Sequence, residues 1–257
     1  MSARTPTDHG RMLDALDHEV ELLVRSADTV PPETVVPTCP GWTVGEVVRH
    51  VGSVARAASG WLREGQAPRD WRRAPAAGQT PQAYLRDGVS ALRDLLAAHG
   101  PAEPAATWWD TDRTFGFWRR RMLHEVTVHR VDVERAAGPE PSPIADEVAV
   151  DGVDEAVNLW FGHRLGRMGV TGTRPAAVAV DTAGRRWLTH AGPDGAVVVG
   201  GDGAPAGPDD RVDAVVSGAV TRVYLWLWGR EGPGSVTVDG DDDAVAQMWA
   251  LLRLATR

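Results

Sequence analysis

The sequence predicts an α+β protein, a four-helix bundle followed by a small α+β domain. Three observations carry that expectation. The first half holds four stretches with apolar residues at helical spacing, bounded by caps and breakers. Beyond Gly169–Arg174 the pattern changes to short apolar runs separated by Gly, Pro and Asp turn signals, as strands are. The chain has 257 residues, enough for two small domains. The expected division is 1–168 for the bundle and 169–257 for the α+β domain.

The first helix runs from about Asp8 to Ala27, on Met12, Leu13, Leu16, Val20, Leu23 and Val24, and Pro31-Pro32 closes it. Thr43 and Glu46 form a capping-box pattern at the start of a second helix that reaches toward Leu62. His50 lies in its middle. Its face is shared with Val47, Ser53, Val54 and Ala57, mostly small residues that leave room for a ligand, and with Glu46, which the capping box explains. A Pro-, Arg- and Ala-rich loop spans Gly65–Gly78. Thr80-Pro81 reads as an N-cap with proline at the first helical position, starting a third helix to about Ala98. A Pro-containing loop with Trp108, Trp109, Phe115, Phe117 and Trp118 follows. The fourth helix is expected over Arg119–Arg135 and stops at Gly138-Pro139. A fifth is expected from Val148 to Met168. The α+β part is expected to hold strands at AAVAVD, RRWLTH and AVVVG. After Asp209-Asp210 comes a helix over VDAVVSGAVTRVYLWLWG. A short strand SVTVDG and a last helix with an acidic first turn end the chain.

Composition narrows the function. Hydrophobic residues are 43% and charged residues 24%, an ordinary globular balance. The net charge of -8 argues against sequence-independent nucleic-acid binding. No apolar run has the length of a membrane span, and the N-terminus lacks an apolar signal core. The single cysteine, Cys39, allows no disulfide within the chain and suits a reducing cytoplasm.

The chemistry concentrates in the fourth helix. Glu125 and His129 are four residues apart and so share a face. A core-facing stripe should be apolar, yet this one carries Glu125, His129 and Asp132. A divalent metal would satisfy the first two. The alternative is a solvated face on which Glu125 pairs with Arg121 and His129 with Asp132. Asp132 reads equally as an acceptor for His129 or as a surface acid opposite Arg135. Arg119–Arg121 is either a solvated helix start or a recognition point for a carboxylate or an anionic cofactor. His124, about 100° round from Glu125, points elsewhere and suits packing. Cys39 also suits packing. Trp108 and Trp109 either line a pocket mouth or fill core. Arg222 and Arg230 are candidates for reaching the site from the second domain, and the sequence does not choose between them.

The pairing of CPGWTVGEVVRHVG with FWRRRMLHEVTVHRVDVE, and a strand-rich tail containing YLWLWGR, resembles the mycothiol-dependent maleylpyruvate isomerase family of the DinB-like metal-binding superfamily. The resemblance covers nearly the whole chain. It implies a DinB-like bundle, a sterol-carrier-like α+β domain, and a divalent metal, usually zinc, held by His50, Glu125 and His129. Two imidazoles and a carboxylate with open positions are the composition of catalytic zinc sites. The same set describes non-haem iron centres, which normally sit on β-barrel strands rather than helices. Mycothiol is implied as the thiol cosubstrate. The function expected is a cis–trans isomerase of a maleylpyruvate-like acid or a thiol S-transferase, with a non-catalytic metal or small-molecule binding protein as the alternative. His50, Arg222 and Arg230 are the expected catalytic residues, and Arg121 and Trp109 the expected cofactor contacts. A small-molecule substrate and the thiol are the expected partners, with no nucleic acid or membrane, and a monomer or weak dimer is expected.

Overall fold

The computed structural model describes residues 9–138, 140–200 and 212–256. The chain divides into two compact units, Asp8–Pro143 and Ile144–Arg257.

The first unit is the helical one: α1 (His9–Ala27), α2 (Val44–Glu64), α3 (Pro81–Ala97) and α4 (Phe115–Ala137). The caps form as the sequence implies. Thr43 and Glu46 complete a reciprocal capping box, and Thr80 accepts from the Ala83 amide ahead of Pro81. α1 packs mainly along α4, and α2 along α3. Leu16, Leu23, Val47, Val51, Leu85, Leu92, Met122 and Val126 are among the buried core residues. The α2–α3 contact is close because glycines allow it. A Cβ on Gly88 would lie 2.9 Å from the Gly52 carbonyl oxygen and 2.3 Å from Arg56 Nη1. Arg56 uses that space to donate to the Gly52 and Tyr84 carbonyls, with its guanidinium over the Tyr84 ring.

α4 begins earlier than expected. Phe115–Trp118 are helical rather than loop, because Thr114 caps the helix by accepting from the Phe117 amide. Of the two readings of Arg119–Arg121, the solvated helix start is corrected. Arg119, Arg120 and Arg121 are all buried. Arg119 donates to the carbonyls of His9, Leu96 and His99, holding the end of α3 and the start of α1 against α4. Arg130, fully buried, binds Glu19 of α1, Glu134 and the Ser142 carbonyl. Burial opposes a charge there, but the two carboxylates outweigh it and raise its pKa. These partners explain how a helix with so many charges is buried on nearly all sides.

The second unit starts 25 residues before the expected boundary at 168/169. A continuous helical run opens it: α5 (Asp146–Asp154), a π-helical stretch Glu155–Arg164, and α6 (Leu165–Met168). It belongs here because α5 packs on α7 and the π-helical stretch on β3 and α8. Among the described residues five strands follow, β1 (Ala176–Thr182), β2 (Arg185–Gly192), β3 (Gly195–Gly200), β4 (Ala214–Ser217) and β5 (Thr237–Gly240), with α7 (Val220–Leu227) and α8 (Asp242–Ala255). The sheet order is β3-β2-β1-β4-β5, antiparallel except for the parallel β1–β4 pair. Ala183 and Gly184, both with positive φ, make the two-residue turn between β1 and β2. The expected helix over 212–229 is corrected. Its first part is β4, paired to β1, and helix begins only after Gly218. Asp209-Asp210 lie outside the described residues. No helix among the described residues is long and apolar enough to cross a membrane.

Candidate metal centre

Most of α4 is buried, and before its last turn only Glu125 and His129 are partly exposed. The helix therefore opens to solvent at the two residues that share the acid–imidazole face. His50, from the middle of α2, closes the set. Its Nε2 lies 3.1 Å from Glu125 Oε1, and His129 Nε2 lies 3.6 Å from the same oxygen. One ligand atom from each of the three residues falls within 4.8 Å of the others. The two imidazole rings are 5.2 Å apart, centre to centre. Side-chain exposures of 21%, 14% and 13% for His50, Glu125 and His129 leave a route in. The donor set and its openness fit a divalent cation with free coordination positions.

Neighbouring side chains orient these three. His129 Nδ1 is 2.9 Å from Asp132 Oδ2, which leaves Nε2 facing Glu125. Asp132 is fully buried and also accepts from Thr38 Oγ1 at 2.5 Å and Cys39 Sγ at 3.2 Å. This is the outer arrangement that fixes a ligand histidine's tautomer. It also corrects the reading of Asp132 as a surface acid. Cys39 does more than pack, since it reaches the acid that holds His129. Cys39, His129 and Asp132 form a second close trio. Its carboxylate is closed off and committed to three neighbours, so the trio with His50 is the better cation site. Arg121 binds Glu125 Oε2. Both pairs expected of a solvated face, Glu125 with Arg121 and His129 with Asp132, therefore exist. They exist on a buried face and leave the third partner, His50, in place.

The charges follow from this geometry. Burial opposes ionisation of Glu125, but the Arg121 charge and hydrogen bonds from His129 and His50 hold its pKa well below the usual carboxylate value. Burial likewise opposes a charged His129, while hydrogen bonds to Asp132, Cys39 and Glu125 push its pKa well above the usual 6.5.

The other expected residues have partners of their own. Trp109 is buried in an aromatic cluster, tilted against Phe117, whose ring also meets Trp108 and Trp118. The aromatic rings beside His50 are instead Trp42, at 4.9 Å between centres, and Trp71, at 6.1 Å, which the sequence reading passed over. Trp42 stands directly before the Thr43 cap, so the start of α2 was the available signal. Trp71 is in the Gly65–Gly78 loop and gave none. His124 is fully buried, in keeping with its rotation away from Glu125. In the second unit, Arg222 pairs with Glu231, and Arg230 donates to the Trp228 carbonyl.

The first unit thus defines a class, a helical bundle whose second and fourth helices present two histidines and a carboxylate at an open point. Residues 13–134, most of the helical unit, match the family model of the mycothiol maleylpyruvate isomerase N-terminal domain. Across both units the chain has the fold of a mycothiol-dependent maleylpyruvate isomerase. It superimposes on crystal structures of a His-to-Ala mutant of that enzyme and of the enzyme without that label, with TM-scores of 0.62 and 0.59. In each case identity is 15%, covering 94% of this chain and 97% of the other. No curated protein sequence matches the chain.

Proposed function

We propose that the protein is a divalent-metal-dependent enzyme that uses mycothiol to isomerise a maleylpyruvate-like cis-unsaturated acid. The observation that carries this is the opening of α4 at Glu125 and His129, opposite His50, in a domain family of this kind. Zinc is the metal favoured by two imidazoles and one carboxylate. A cation bound there supplies Lewis acidity, which lowers the pKa of a thiol and polarises a carbonyl. Isomerisation by thiol addition needs both, a nucleophilic thiolate and a stabilised enolate.

The chain's own residues set the conditions. His50 and His129 direct Nε2 atoms at one point, and Glu125 adds one negative charge, leaving a dication net positive toward an anionic reactant. Asp132 keeps the His129 ring oriented through Nδ1. Arg121 keeps Glu125 ionised. Trp42 and Trp71 flank His50 and limit water on that side. A substrate carboxylate calls for a guanidinium, and we assign that role to Arg222 or Arg230, to be separated by the KM of each alanine variant.

The test is metal analysis of protein purified without added metal, then a mycothiol-dependent assay on the same sample. About one metal ion per chain and thiol-dependent conversion of maleylpyruvate are expected, both lost in His129→Ala. Full metal stoichiometry in His129→Ala overturns the ligand assignment. Tight ligand binding without turnover, with metal and thiol present, makes the protein a binding member of the family instead.

A further inference from the structure

Beside the His50 site the first unit holds a second feature, a cleft of about 350 Å³ between α2, α3 and the loop of residues 68–73. Its volume is at the lower end of small-molecule sites, roughly 300–1,000 Å³. The loop is fastened in place. The Arg73 carbonyl accepts from both Ser53 Oγ and Tyr84 Oη, each at 3.2 Å. Pro68 sits where only a glycine permits, since a Cβ on Gly60 would come within 2.5 Å of its Cγ.

The lining is unusual in its balance. Arg56, Arg63 and Arg73 face the cleft together with Glu64, Asp70 and Asp87, so formal charge cancels. An anion entering it meets three carboxylates, and a cation meets three guanidinium groups. A neutral ligand with adjacent hydroxyls uses both, since each hydroxyl donates to a carboxylate and accepts from a guanidinium. Ser59 adds a second, independent sign. It lines the cleft, is only 5% exposed, and its Oγ has no hydrogen-bond partner among the described residues. Buried polar groups are rarely left this way without a ligand or water. Trp71, also in the lining, offers an apolar face to the C–H side of a ring. The same Trp71 ring is 6.1 Å from the His50 ring, so one side chain both lines the cleft and neighbours a candidate ligand.

We propose that this cleft is a subsite for a neutral, hydroxyl-rich, saccharide-like group, placed so that the reactive end of the same molecule reaches His50, Glu125 and His129. That the group belongs to the thiol cosubstrate rests on the mycothiol reading above, mycothiol being a thiol carried on a sugar–cyclitol body. A free saccharide is the other source of the same chemistry.

The experiment is calorimetric titration of the full-length, metal-loaded protein with four probes: mycothiol, its thiol-free sugar–cyclitol body, N-acetylcysteine and inorganic phosphate. Wild type, Ser59→Leu, which fills the cleft, and Asp87→Asn, on an exposed position, are compared. Saturable binding of the sugar–cyclitol body is expected, weakened at least tenfold in both variants, with phosphate not binding. Metal content and N-acetylcysteine binding should be unchanged. Absence of saturable binding to the sugar–cyclitol body, a preference for phosphate, or equal affinity in wild type and Asp87→Asn overturns the proposal. Binding of the sugar–cyclitol body that is lost in the variants, without any mycothiol-dependent turnover, upholds the subsite and assigns it to a free saccharide. Normal mycothiol KM in both variants refutes the subsite and leaves the isomerase reading standing.

Discussion

Replacing Arg121 by methionine separates the two roles of the Glu125 carboxylate. Arg121 and Glu125 are 5% and 14% exposed, so water does little to screen the charge left behind. Removing one partner of such a pair costs about 3–5 kcal/mol. The hydrogen bonds from His50 and His129 remain, which places the expected loss near the lower figure, about 3 kcal/mol. At roughly 2–4 °C per kcal/mol, the metal-free variant should melt about 6–12 °C below wild type. A divalent cation bound by Glu125 replaces the missing positive charge. With metal at saturation the deficit should therefore shrink to about 1 kcal/mol. By linkage the variant then binds metal more tightly, by the remaining ~2 kcal/mol or about 30-fold. Thermal melts of both proteins in chelator and in excess zinc, with a competition titration for affinity, measure all of this. Equal destabilisation with and without zinc refutes the reasoning, because Glu125 is then not a ligand. No destabilisation in chelator refutes it too, because Arg121 is then not the counter-charge.

Three further outcomes follow from other parts of the molecule. Gly88→Ala should destabilise by about 1–3 kcal/mol, because its Cβ would meet the Gly52 carbonyl at 2.9 Å and push α2 from α3; an unchanged urea midpoint contradicts this. Arg130→Met leaves Glu19 and Glu134 buried without their shared cation and should cost about 3–5 kcal/mol, read from the same urea curves. Metal uptake should release a proton. The raised pKa of His129 keeps it charged in the metal-free protein at neutral pH, and its stabilising effect is full below its usual 6.5 and lost as pH rises through the raised value. Apparent metal affinity should then climb with pH, up to about tenfold per unit, until that value is passed. Calorimetry in buffers of different ionisation enthalpy counts the proton, and a count of zero rules out His129 as the titrating ligand.

The helices of the first unit were legible because local chemistry set their ends: Thr43 with Glu46, and Thr80 with Pro81. The start of α4 was misread because Phe115–Trp118 look like an aromatic loop until Thr114 is seen to cap them. β4 was misread for a different reason. Val212–Ser217 is apolar enough for either structure, and only pairing with β1, some 35 residues away, decides for strand. The unit boundary was hidden similarly, since nothing local tells residues 146–168 to pack against α7 and β3. At the site, Glu125 and His129 stood out by spacing. Arg121 and Asp132 were visible as partners, but their burial was not. Cys39, Trp42 and Trp71 reach the site only through the packing of α2 and the loops around it.

Asp132 accepts from His129 on its own helix and from Thr38 and Cys39, 94 and 93 residues earlier. An isolated α4 would offer Glu125 and His129 as a flexible pair. His50 and the two donors before α2 arrive only when the start of the chain has docked. The proposed ion binding is thus a non-local property, acquired only once the residue 38–50 segment has packed against α4. A folding intermediate with native helices but an undocked residue 38–50 segment would carry helical signal and bind metal poorly. During refolding, the recovery of metal affinity should therefore lag the recovery of helix content.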